Sequence, residues 1–92
     1  MKINFLYTSQ IATALNKSEE LIEVPNQFNI LQTLHYITQN KVKALRDFIF
    51  KNDTEIAPSI LIIKNGQQIE PTDHTTLKEG DEIMLFSPIS GG

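Results

Sequence analysis

Few side chains in this 92-residue chain have the types and spacings that do chemistry. There are two histidines. His35 has Leu31, Gln32, Thr38 and Gln39 three and four residues away, so no helical pair of metal ligands forms around it. His74 has Asp73 beside it, an arrangement that polarises a substrate in some sites but is more often a polar turn. Carboxylates gather at Glu19-Glu20 and at Glu79, Asp81 and Glu82. The second group straddles Gly80, which makes it a solvated turn rather than an acid/base pair, because such a pair needs two different environments to separate its pKa values. Cysteine is absent, which removes disulfides, thiolate ligands and a thiol nucleophile together and fits a reducing compartment. The chain also lacks a P-loop, a Gly-x-Gly-x-x-Gly loop and a Gly-x-Ser-x-Gly elbow. No catalytic residue, no metal site and no bound cofactor are expected.

The remaining chemical group is the chain end. Two of the four glycines stand at Gly91 and Gly92, after the turn-like Ser87-Pro88-Ile89-Ser90. At a glycine frequency of about 7%, a random terminus is Gly-Gly roughly once in two hundred chains. A frayed end is the plain explanation. The sharper one is that the terminal carboxylate is the working group: without Cβ, two glycines pass through a channel too narrow for other residues and leave the carboxylate open to attack.

The elements that must position such a tail are legible in the hydrophobic pattern. Ile3, Phe5 and Tyr7 alternate with Asn4, Leu6 and Thr8, which predicts a strand. Ser9 is placed to cap a short helix bearing Ile11, Ala14 and Leu15, and Glu20 to Val24 reads as a second strand closed by Pro25-Asn26. Asn29 with Gln32 three residues on makes a capping box for the main helix, whose stripe is Ile30, Leu31, Leu34 and Ile37. Asn40 interrupts it before a second helical piece with Val42, Leu45, Phe48 and Ile49, and Lys51 to Glu55 is a polar loop. Ile60 to Ile63 is apolar at every position, so this strand is covered on both faces, or on one with an apolar patch on the other. Asn65-Gly66 turns it back into Gln67 to Glu70 as a tight hairpin. A last turn, Lys78-Glu79-Gly80-Asp81, leads into the strand Glu82 to Phe86. Strands around one principal helix make an α+β domain with a mixed sheet, spanning residues 1–86, with residues 87–92 as a flexible tail.

The charge balance narrows the partners. Eight Lys and Arg are scattered against eleven Asp and Glu, for a net charge of −3, so no basic stripe is available to neutralise nucleic-acid phosphates. No apolar run is long enough for a membrane span and the first residues do not form a secretory signal, so a cytoplasmic location is expected.

From Leu77-Lys78-Glu79-Gly80-Asp81-Glu82-Ile83 through Phe86 to Gly92, the chain resembles the ending of the small subunit of molybdopterin synthase and its sulfur-carrier relatives, the MoaD/ThiS family. Ile62-Ile63-Lys64-Asn65-Gly66 resembles the family's preceding strand and turn, and Ile3-Asn4-Phe5-Leu6, more loosely, its first strand. The resemblance covers the chain in element order and is specific over its last third. One departure is Ser87-Pro88, where the family commonly carries two prolines.

The resemblance implies a ubiquitin-like β-grasp fold, with the mixed sheet packed on one main helix. It also implies a non-catalytic carrier whose Gly92 carboxylate is adenylated by a ubiquitin-activating-like enzyme using ATP and is then converted to a thiocarboxylate. Pro88, Ile89, Ser90 and Gly91 would enter the partner as the inserted tail. Phe86 matches the family's aromatic residue before the tail and Leu6 an apolar position on its first strand, and strand parity places Met84 on the face of Phe86, so these three are the expected partner interface. The implied acceptor is an enzyme such as the large subunit of molybdopterin synthase. Thiamin, cysteine and tRNA thiolation are the other destinations, a ubiquitin-like modifier joined to lysines through Gly92 is the alternative of another class, and a plain interaction domain with an incidental Gly-Gly end is the third.

Overall fold

In the computed structural model, which describes residues 1–87, the alternation at the start of the chain becomes β1 (Lys2–Tyr7). Ile3, Phe5 and Tyr7 are buried, while Asn4 and Leu6 on the opposite face are half-buried. α1 (Ser9–Leu15) follows, and here the expected cap is corrected. Thr8, not Ser9, holds the N-cap position, and its hydroxyl does not cap: Thr8 Oγ1 donates to the carbonyl of Leu85 at 3.2 Å. Ser9 lies inside the helix with φ of 51°. The buried stripe of α1 also shifts, because Ala14 is exposed and Ala12 packs against the core with Ile11 and Leu15.

β2 (Glu19–Glu23) runs back along β1. α2 (Ile30–Asn40) opens with the reciprocal capping box: Gln32 N donates to Asn29 Oδ1, and Asn29 N to Gln32 Oε1, both at 2.9 Å. Ile30, Leu34 and Ile37 are its buried apolar residues, one turn apart on one face. A 3₁₀ turn (Lys43–Leu45) leads into α3 (Arg46–Ile49), which buries Leu45 and Ile49. The polar loop is closed by an isolated bridge between Phe50 and Ile56, and within it Asn52 Oδ1 accepts from the amides of Thr54 and Glu55.

β3 (Leu61–Lys64) and β4 (Gln67–Ile69) form the hairpin that Asn65-Gly66 demands. Both turn residues have positive φ, 50° and 83°, the combination whose twist matches paired strands. Gly80, with φ of 86°, supplies the last turn before β5 (Glu82–Phe86).

The strands make one mixed sheet in the order β2-β1-β5-β3-β4. β1 and β5 are parallel at its centre, and the other pairs are antiparallel. A single cluster joins Ile3, Phe5, Ile62, Ile83 and Leu85 of the sheet to Ile11, Ile30, Leu34, Ile37, Leu45 and Ile49 of the helical segments. The α+β expectation with a mixed sheet and one principal helix therefore holds. Among the described residues no helix is long and apolar enough to cross a membrane. The expected tail residues Pro88, Ile89, Ser90, Gly91 and Gly92 lie outside the described residues.

Candidate functional site: the open sheet face before the tail

Because side chains alternate along a strand, the residues between the core positions of β1, β3 and β5 all emerge on the opposite face of the sheet. On β5 these are Met84 and Phe86, while Ile83 and Leu85 are fully buried, as the strand parity predicts. Register places Leu6 of β1 and Ile63 of β3 on either side of Met84, and Leu61 of β3 beside Phe86. Five apolar side chains thus share one face, all half-buried and none within the core cluster. Completing the burial of a Leu or Met side chain is worth about 1.5–3 kcal/mol relative to full exposure, so even partial covering of five supplies a driving force for docking.

The three residues expected at an interface, Leu6, Met84 and Phe86, are therefore brought together. Leu61 and Ile63 complete the face. Their signal was the unbroken apolar run of β3, whose second reading, one face covered and an apolar patch on the other, is the one adopted: Ile60 and Ile62 are buried, Leu61 and Ile63 only partly.

The face includes the last residue of the last described strand, since Phe86 ends β5. The end of that strand is held by the hydrogen bond from Thr8 to the Leu85 carbonyl and by the pairing of Leu85 with Tyr7 and of Phe86 with Leu61. Its start is held as firmly: Glu82 N donates to Asn65 Oδ1, and Asn65 Nδ2 to Asp81 Oδ1.

The other chemically suggestive residues have structural duties. Glu79 accepts from Lys2 N at 2.8 Å, and Asp81 Oδ2 from Lys78 N at 2.8 Å, so two carboxylates of the acidic turn bond backbone amides. Asp73 accepts from the Thr75 amide, and this backbone bond, with the Thr75 side chain, holds its carboxyl below the usual range. His74 is exposed in that turn, and His35 is half-buried, its ring 4.5 Å from that of Phe50. Among the described residues no three His, Cys, Asp or Glu side chains gather to hold a metal ion.

Comparison with known proteins decides the family. The profile of the Urm1 (Ubiquitin related modifier) family matches residues 1–92. The chain belongs to the Urm1 family. Ubiquitin-related modifier 1 of Ajellomyces capsulatus is 26% identical over 70 residues, which are 74% of this chain and 58% of that protein. The chain spans about half the length of the curated relatives it matches. Among solved structures, SAMP1 from Haloferax volcanii superposes with a TM-score of 0.85 at 22% identity over 100% of both chains. The complex of subunits 1 and 2 of molybdopterin-converting factor from Helicobacter pylori contains a chain that superposes with a TM-score of 0.63 at 24% identity, again over 100% of both chains. The fold is thus the ubiquitin-like β-grasp, and the resemblance to the MoaD/ThiS group of ubiquitin-like carriers holds at the level of family. The Urm1 family is named for its modifiers, as is the Ajellomyces capsulatus relative.

Proposed function

We propose that this protein is a non-catalytic sulfur carrier that works through the carboxylate of Gly92. The observation that carries the reading is the continuity of the open apolar face, Leu6, Met84 and Phe86, with a strand that feeds a Gly91-Gly92 terminus. A carboxylate is a poor electrophile. Attack of its oxygen on the α-phosphorus of ATP, in an adenylating partner, releases pyrophosphate and gives an acyl-adenylate with AMP as leaving group. Sulfur from a donor persulfide displaces AMP, and a thiol that cleaves the acyl disulfide so formed leaves the thiocarboxylate. This chain contributes the carrier atom, the docking face and a tail in which Pro88 lowers the ordering cost of insertion. It contributes no cofactor of its own, and its cysteine-free sequence offers no internal thiol to compete for the acyl group.

A sulfur-accepting enzyme is the second partner. The Helicobacter pylori complex pairs a chain of this fold with a second subunit, which supports an acceptor of the molybdopterin-synthase kind; thiolation of tRNA is the alternative destination. A modifier reading, in which a lysine amine attacks the same acyl-adenylate or its thioester, is favoured by the family description and by the names of the relatives.

The test is intact-mass spectrometry of the chain after incubation with its adenylating partner, ATP and a persulfide donor. Exchange of one oxygen for sulfur at Gly92 is the expected result, and it should vanish when Gly92 is deleted while the fold survives. Lysine-linked adducts without that exchange would select the modifier, and an unaltered carboxylate under all these conditions would sink both.

A further inference from the structure

A second surface lies at the edge of the sheet, and it does not depend on the tail. β2 is the outermost strand on its side, so one of its edges faces no other strand of the described residues. The register with β1 fixes which backbone groups lie there. Val24 N donates to the Met1 carbonyl, and Tyr7 N to the Ser18 carbonyl. In an antiparallel pair the bonded residues alternate, so Ile22 and Glu20 are also turned toward β1, while Glu19, Leu21 and Glu23 present their N–H and C=O groups outward. The side chains of the same three residues stand on the open face of the sheet, because Ile22 and Val24 between and beyond them are buried.

Charge guards such an edge against indiscriminate pairing, and two glutamates suffice for that. Leu21 is not needed for guarding, yet it is the one large apolar side chain more than half exposed among the described residues, at 63%. The pattern also rejects one occupant. In an antiparallel pairing of two copies centred on Leu21, each Glu19 would face the other copy's Glu23, and like charges directly opposite destabilise a cross-strand pair. Glu23 is partly compensated by the Met1 amine at 2.9 Å, and Glu19 has no cation within salt-bridge distance among the described residues.

We propose that the free edge of β2 is a strand-addition site for an extended segment of a partner protein with the pattern basic–x–apolar–x–basic. The partner's backbone would pair with Glu19, Leu21 and Glu23, its apolar residue would lie opposite Leu21, and its Lys or Arg residues would lie opposite the glutamates. The added strand extends the sheet on the side away from the hairpin.

The probe is the peptide acetyl-Gly-Lys-Thr-Leu-Thr-Lys-Gly-amide, titrated into the full chain and followed by backbone amide NMR, with a control in which both Lys are Glu. The largest shifts are expected at the amides of Glu19, Leu21 and Glu23, with the control binding about tenfold more weakly. Leu21→Pro removes an N–H that points away from β1, so the edge tolerates it, and binding should be lost. The double change Glu19→Lys with Glu23→Lys should reverse the peptide preference, and it decides the matter if the proline variant does not fold. Three results would overturn the site: no movement of these amides at millimolar peptide, shifts confined to Leu6, Met84 and Phe86, or self-association of the free chain through β2.

Discussion

Tyr7 is only 3% exposed, and its hydroxyl donates to Glu20 Oε1 at 2.9 Å while Lys17 holds the other oxygen of the same carboxylate. Burial first, then the hydrogen bond and the negative charge of Glu20, push its pKa far above the ordinary tyrosine value of 10.0. The sign of the pH effect follows from linkage. The unfolded chain releases this proton near pH 10 and the folded chain does not, so the stability is complete below pH 10 and falls as pH rises, by about 1.4 kcal/mol per unit for one proton. Urea midpoints measured between pH 8 and 11 should show this decline, and Tyr7→Phe should remove one proton's worth of slope; an unchanged slope in the variant would mean that the hydroxyl ionises in the folded state. Thr33 makes the opposite case. It is fully buried on α2 and its hydroxyl has no hydrogen-bond partner among the described residues, so Thr33→Val keeps the shape and deletes an unsatisfied group. A gain of about 1 kcal/mol in denaturant titration is expected.

At the scale of elements, local chemistry dominates where a residue's partners are its neighbours in sequence. The capping box of Asn29 and Gln32, the Asn65-Gly66 turn and the Gly80 turn were all legible in the sequence because each is closed within a few residues. Gly66→Ala tests this directly. With φ of 83° and open space where a Cβ would go, the cost is backbone strain alone, about 1–2 kcal/mol, read as a lowered urea midpoint at unchanged slope. The start of α1 was not legible for the converse reason. A hydroxyl at Thr8 reads as an ordinary residue before a Ser cap, but its partner is the Leu85 carbonyl, 77 residues away, which no local pattern announces. The candidate interface falls between these cases. Leu6, Met84 and Phe86 came from strand parity and resemblance, whereas Leu61 and Ile63 join them only through register, which depends on which strands become neighbours.

For the whole molecule, the decisive division is between the two faces of one sheet. The covered face holds the fold together, and the open face is free to serve a partner. Met84→Lys should therefore leave the thermal midpoint within a few degrees. In the proposed carrier role it should slow sulfur transfer to Gly92 by an adenylating partner roughly tenfold or more, because it sets a charge between Leu6 and Ile63 at the centre of the patch. Equal loss of stability and transfer would show that Met84 belongs to the core. The parallel pairing of β1 with β5 carries one further consequence, for the birth of the chain. The first strand must wait for the last before the middle of the sheet can close, and such long-range pairing is slow to form. During synthesis the growing polypeptide therefore has no finished open face until residues up to Phe86 have left the ribosome. An enzyme that recognises that face would ignore every shorter nascent fragment, so assembly of the sheet doubles as a check that the chain was made through to its final strand.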